Sequence, residues 1–178
     1  MSSLFVYHVS SPEVPLKVLN HLEDIAPTLA EQGITFERWP VSAAVAAGGS
    51  SEQVLASCQA SLEQLARQRQ VSVQQVISLD RPAEAGVGLL SEEHHHAGDE
   101  VRWFVAGRGL LYLRKEEYVY AVLCEKHDLI SLPAGTAQWF DVGEHPYLVA
   151  IRLSASADEL RAVVSGDGLA SRFPRLDD

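Results

Sequence analysis

The chain has 178 residues, 47% of them hydrophobic and 21% charged, with 24 acidic against 14 basic side chains and a net charge of -10. That length suits one compact unit with a sizeable core. The acidic balance and the lack of any Lys/Arg cluster exclude the counterion-displacing face of a nucleic-acid binder and argue against an anionic membrane surface.

In chain order, residues 4–9 alternate in strand fashion. Val18, Leu22, Ile25 and Leu29 fall at helical spacing with Gly33 as a stop. Ile34 to Trp39 is short, rich in β-branched and aromatic residues, and closed by Pro40, which predicts a strand. Ser50 or Ser51 caps a helix whose buried face is Val54, Leu55, Cys58, Leu62 and Leu65. Val71 to Leu79 reads equally as strand or short helix, and 81–88, with Pro82, Gly86 and Gly88, reads as loop.

From Leu89 the texture changes to short β-like runs: 101–106, 110–114, 118–124, 129–132, 139–142 and 147–153. Gly107-Arg108-Gly109 and Lys115-Glu116-Glu117 read as hairpin connections, and Pro133-Ala134-Gly135 as a further turn. Closely spaced strands without helices between them predict an antiparallel sandwich or small barrel. Ala157 to Val164 reads as a closing helix, followed by Gly166, Gly168 and a polar tail. No internal repeat or low-complexity tract interrupts this order.

Cys58 and Cys124 both lie in apolar stretches, so a disulfide framework is not expected and a reducing compartment is the simpler reading. The N-terminus lacks a basic region followed by an apolar run, and no segment reaches the roughly 20 apolar residues of a membrane span. A cytoplasmic location is the expectation.

Residues 93–102 read Glu-His-His-His-Ala-Gly-Asp-Glu-Val-Arg. Side chains two apart on a strand share a face, so His94 and His96 point one way and His95 the other. Glu100 lies at an even offset from both, and Ala97-Gly98 lets the chain bend to return its carboxylate. Two imidazoles and one carboxylate form the donor set suited to non-haem Fe(II), with coordination positions left open. Arg102 shares the parity of Glu100 and Phe104, which puts a permanent cation on the same face as the donor set. A salt bridge from Arg102 to Asp99 or Glu93 is the structural alternative. Trp103 and Trp139 fall on the outward parity, against the N-terminal helices, while Phe104 and Phe140 point inward as pocket candidates.

A histidine-rich surface turn would need no partner, but the punctuation here is more specific. Gly88, five residues, His94-x-His96, three residues, Glu100, six residues and Gly107 match the first motif of the cupin superfamily. A later segment, residues 132–141, carries the Pro-x-Gly turn of the second motif with Gln138 at the ligand position.

Over nearly its whole length the chain resembles the acireductone dioxygenase family of cupins. The resemblance is carried by Phe36-Glu37-Arg38-Trp39, Glu93-His94-x-His96, Asp99-Glu100-Val101-Arg102, Cys124-Glu125-Lys126, Asp128-Leu129-Ile130-Ser131, Trp139-Phe140-Asp141 and the terminal 171–176. It implies a mainly β cupin double-stranded β-helix, a jelly-roll barrel with N-terminal helices packed outside. The corresponding division is 1–88 for helices and strands, 89–153 for the barrel core and 154–178 for the tail.

The resemblance also implies one Fe2+ or Ni2+ per chain and O2 cleavage of 1,2-dihydroxy-3-keto-5-methylthiopentene. With iron the family yields formate and 4-methylthio-2-oxobutanoate. With nickel it yields carbon monoxide, formate and 3-methylthiopropanoate, within methionine salvage. By matched position His94, His96 and Glu100 are metal ligands, Arg102 handles the substrate dianion, and Glu93 and Asp99 relate to metal incorporation and conformational relay. A monomer is the expected state, with no nucleic-acid or membrane partner.

Two departures stand out. The family's fourth ligand is histidine where this chain has Gln138, a candidate fourth donor whose amide oxygen is harder and weaker than imidazole nitrogen. Weaker metal binding follows, with nickel losing more than iron. The stretch 83–91, before the Glu-His pair, is shorter than in the family and leaves the pocket wall altered. These departures keep two other functions open: a cupin dioxygenase for another enolisable diketone, and a cupin that binds metal or ligand without turnover.

Overall fold

A computed structural model of the chain describes residues 1–82, 91–165 and 167–178. The segment 83–90, with Gly86, Gly88 and Leu89, and residue Gly166 lie outside the described residues. In chain order the strands and helices are β1 (Ser3–His8), β2 (Lys17–Leu19), α1 (Leu22–Ala30), β3 (Thr35–Arg38), α2 (Ser51–Ser57), α3 (Gln59–Arg69) and β4 (Ser72–Leu79). There follow β5 (His94–His96), β6 (Glu100–Lys115), β7 (Tyr118–Glu125), β8 (Asp128–Leu132), β9 (Ala137–Asp141), β10 (Leu148–Ser154) and β11 (Ala162–Val164). Short 3-10 helices occupy Ala157–Leu160 and Leu169–Arg172.

The strands pair antiparallel in two layers that share β6. One layer runs β11-β5-β9-β6-β7-β1-β2, and the other runs β4-β10-β6-β8-β3. Leu4, Phe36, Ile77, Phe104, Leu111, Ile130, Phe140 and Ala150 pack in one buried cluster between them. This is the mainly β, jelly-roll architecture expected of a cupin.

Strand β6 joins the layers because it is one continuous run of 16 residues. The hairpin expected at Gly107-Arg108-Gly109 is instead a bulge. Ala106 pairs with Val149 and Phe104 with Ala150, so Val105 is left over and the register shifts. One extra residue reverses which parity faces inward. Phe104 points in before the bulge, whereas Leu111 and Leu113 point in after it. Gly107 has φ of +69, and a Cβ there would overlap the Tyr147 carbonyl oxygen, so only glycine fits this corner.

Two outer clusters complete the packing. Trp103, Val105, Leu129 and Ile151 meet Val54, Cys58, Leu62 and Leu65 of the α2–α3 pair, on the face expected for Trp103. Ser50 starts α2 with a reciprocal cap, its Oγ accepting from Gln53 N at 3.2 Å while Gln53 Oε1 accepts from Ser50 N at 3.1 Å. Trp139 does not reach these helices. It stacks on Tyr112 at 5.0 Å and meets Phe173 at 5.7 Å, so the C-terminal segment covers that face.

Two further expectations are corrected. Val18 lies on β2, paired with Phe5, and helix α1 starts only at Leu22. Pairing to β1 decides this short stretch, because three residues carry too little periodicity to specify a helix. Residues 157–164 split into a 3-10 turn and β11, since β5 would otherwise present an unpaired edge and Val163 pairs with His95 to cover it. Residues 71–79 resolve as strand β4 beside β10.

Candidate metal centre

The site is built on three strands. β5 brings His94 and His96 to the interior, where they are 5% and 3% exposed, with ring centroids 5.1 Å apart. Strand β6 supplies Glu100 and Arg102, 1% and 2% exposed. Strand β9 lays Gln138 opposite His94 in register. Residues a few positions apart are buried together because their strand faces point inward.

Strand β10 adds a group that sequence reasoning missed. Arg152 sits opposite Arg102 across the β6–β10 ladder. Its Nε donates to Glu100 Oε2 at 2.6 Å, its Nη1 donates to Gln75 Oε1 at 2.7 Å, and its Nη2 lies 3.4 Å from His96 Nε2. A signal was present: one arginine stands inside an otherwise apolar run, Leu-Val-Ala-Ile-Arg-Leu, and a buried arginine needs a carboxylate.

Arg102 pairs with neither Asp99 nor Glu93. Its Nη2 donates to both Glu100 oxygens, at 3.1 and 3.0 Å, and its guanidinium carbon lies 5.0 Å from the Phe140 ring centre. Its Nε and Nη1 are buried with no acceptor from the described protein. Phe104 and Phe140 pack 6.2 Å apart on the inner face. The Phe140 ring sits where a Cβ on Gly109 would be, so that glycine makes room for it.

Glu93 and Asp99 point elsewhere. Glu93 accepts from Arg114 Nη1, which also binds Asp167, tying β5 to β6 and the C-terminal segment. Asp99 is exposed and accepts from Ala134 N at 2.7 Å, fastening the turn before β9. The remaining histidines stay apart: His127 Nδ1 accepts from Val41 N, and His145 is exposed.

Electrostatics follow from burial among two guanidinium groups. Burial alone would raise the Glu100 carboxyl, but Arg102 and Arg152 overcome it and hold the group down to about 2. Burial pushes His96 down to about 4, with Glu100 opposing and Arg152 assisting. Burial lowers His94 as well, against its hydrogen bond to the Glu92 carbonyl. Both rings are therefore neutral near pH 7, the form that can donate a lone pair.

A neutral buried imidazole predicts acid sensitivity. The unfolded chain takes up a proton near pH 6.5 that the folded His96 refuses until about 4. This contribution to stability is complete above roughly pH 6.5 and is lost as pH falls towards 4, a change on the order of 2–3 kcal/mol. Melting of chelator-treated protein should therefore drop across this window, with a shallower slope in His96→Gln. Equal melting temperatures for wild type at the two ends of the window would refute the assignment.

The donor chemistry suits a divalent cation. His94 Nδ1 donates to the Glu92 carbonyl at 2.8 Å, which leaves the Nε2 lone pair free, the arrangement common to metal-ligating histidines. His96 Nε2 and Glu100 already share a cationic partner in Arg152, so the space between them accommodates positive charge. Among the described residues no three His, Cys, Asp or Glu side chains are close enough together to hold an ion, and Arg152 contacts both His96 and Glu100.

Comparison with known proteins places these features in context. Residues 16–162 match the model of the ARD/ARD' family. The chain is 55% identical over 182 residues to an acireductone dioxygenase of Pseudomonas fluorescens, and 54% identical over 181 residues to one of Pseudomonas aeruginosa, covering 100% of both chains in each case. Among solved structures, an acireductone dioxygenase from Bacillus anthracis with a cadmium ion in its active centre superimposes with a TM-score of 0.75. That match has 23% identity and covers 92% of this chain and 98% of the other, so it bears on the fold.

Proposed function

The chain belongs to the ARD/ARD' family, the acireductone dioxygenases, and we propose that His94, His96 and Glu100 hold one Fe2+ or Ni2+ at the inner face of the barrel. The substrate in this reading is 1,2-dihydroxy-3-keto-5-methylthiopentene, cleaved with O2 in methionine salvage. Iron-loaded protein gives formate and 4-methylthio-2-oxobutanoate. Nickel-loaded protein gives carbon monoxide, formate and 3-methylthiopropanoate. Both outcomes balance with one O2 and no external reductant. When bound, the ion supplies the Lewis-acidic, open-sided centre at which substrate and O2 are brought together.

One observation carries the reading: Arg102 is 2% exposed, yet Nε and Nη1 have no protein acceptor. Unpaired buried N–H groups on a fixed cation are costly unless an anion completes them. An acireductone losing its enolic protons supplies such an anion, and the rigid fork of arginine suits two neighbouring oxygens. Phe104 and Phe140 form the apolar surface against which a methylthio chain packs. Holding an ion requires the Arg152 guanidinium to give up its contact with His96.

No helix among the described residues is long and apolar enough to cross a membrane. Cys58 and Cys124 are buried free thiols, which suits the reducing cytoplasm proposed for the enzyme.

The test is product identification on protein loaded with a single metal. Formate with the five-carbon oxoacid from the iron form, and carbon monoxide from the nickel form, are the expected results. Confirmed metal loading without O2 uptake on this acireductone, but with uptake on another enolisable diketone, would reassign the substrate.

A further inference from the structure

Gln138 is buried on β9 beside the candidate ligands, and its hydrogen bonding gives it a definite task. Its side chain lies across from His94 in register, yet it reaches His96: Nε2 lies 3.3 Å from His96 Nδ1, and Oε1 is buried without a partner. On the far side of the same ring, Arg152 Nη2 lies 3.4 Å from His96 Nε2.

The proton on His96 has to satisfy both neighbours. Arginine is a donor only, so Nε2 must carry the lone pair and Nδ1 the hydrogen. An amide nitrogen is also a donor only, so Nε2 of Gln138 against Nδ1–H would set two donors face to face. Half a turn about the last side-chain bond exchanges the two ends of the carboxamide, which are alike in shape, and brings Oε1 to Nδ1 as an acceptor. Oε1 has no partner where it stands, so the exchange gives up no hydrogen bond at that end and the His96 ring decides between the orientations. His94 provides an independent parallel, because its Nδ1 is committed to the Glu92 carbonyl at 2.8 Å and its Nε2 is left bare.

We infer that Gln138 is a positioning residue and not a metal donor: through Oε1 it holds His96 in the Nδ1–H tautomer and turns the Nε2 lone pair towards Glu100. This rests on the reading of His96 as a ligand, since an imidazole coordinates only through an unprotonated nitrogen. His94 and His96 are thus set to the same tautomer by different devices, a backbone carbonyl for the first and a side-chain amide for the second.

The experiment is nitrogen NMR of the full chain with 15N-labelled histidine, metal-free and at mildly alkaline pH. Wild type should show His96 protonated at Nδ1. Gln138→Glu, which can only accept, should retain that form, and near-isosteric Gln138→Met should shift population to Nε2–H. If the Met variant fails to fold, the Glu variant carries the test. Titration with Ni2+ should show Gln138→Met binding about 10- to 100-fold more weakly than wild type, the usual cost of losing a partner behind a ligand.

A wild-type His96 protonated at Nε2, or a reversal of tautomer in Gln138→Glu, overturns the inference. If Ni2+ binds one per chain while wild type shows Nε2–H, this inference falls alone. If the tautomer pattern holds but neither Ni2+ nor Fe2+ binds, the orienting contact stands and the metal reading falls.

Discussion

Replacing Glu100 with Gln should abolish stoichiometric metal binding and destabilise the metal-free protein by about 3–5 kcal/mol, the range found when one partner of a buried ion pair is removed. Glu100 is 1% exposed and receives Arg102 Nη2 and Arg152 Nε, while those two arginines face each other across the β6–β10 ladder. Like charges directly opposite are unfavourable, and the shared carboxylate is what makes the pair tolerable. Glutamine preserves the shape but presents an amide NH2 to guanidinium donors and leaves two buried cations with no neutralising charge. Denaturant unfolding of chelator-treated protein reads the loss of stability, and calorimetric titration with Fe2+ and Ni2+ reads the loss of binding, expected at 100-fold or more by comparison with losses behind a ligand. A variant within about 1 kcal/mol of wild type would mean that the arginines are neutralised by something else.

Arg102→Met should lower kcat about 10²- to 10³-fold, the loss typical when one preorganised donor to developing negative charge is removed. The methionine fills similar volume over the Phe140 ring, so packing is largely kept and the charge and fork are lost. The drop should appear mainly in kcat, because an enediolate is held more strongly than the neutral substrate. Arg102→Lys restores the charge without the bidentate geometry and should recover only part of the rate. Steady-state O2 uptake on protein of verified metal content measures this. A kcat within about threefold of wild type would remove Arg102 from the chemistry.

Those two side chains show how much a sequence can reveal about a site. Strand parity alone set His94, His96, Glu100, Arg102 and Phe104 on one face, and the structure has all five buried there. Alternation is a local property, because each Cβ direction is dictated by its own backbone and needs no distant partner. The same reasoning failed at Gly107, where two short strands were expected and one strand with a bulge is found. A glycine in a β run signals a break in either case, and the choice between hairpin and bulge depends on whether β10 is there to pair across it.

Local pattern was enough to put His94, His96, Glu100 and Arg102 on a shared face, to mark the glycine at the corner and to identify the family. Long-range strand pairing was needed to show that Arg152, 52 residues beyond Glu100, closes on that carboxylate, that Glu93 pairs with Arg114, and that Gln138 engages His96 rather than the His94 it faces in register. Faces are assigned residue by residue, whereas contacts between distant strands are assigned by register. Register emerges only when a whole barrel settles its pairing, its bulges and its buried charges at once.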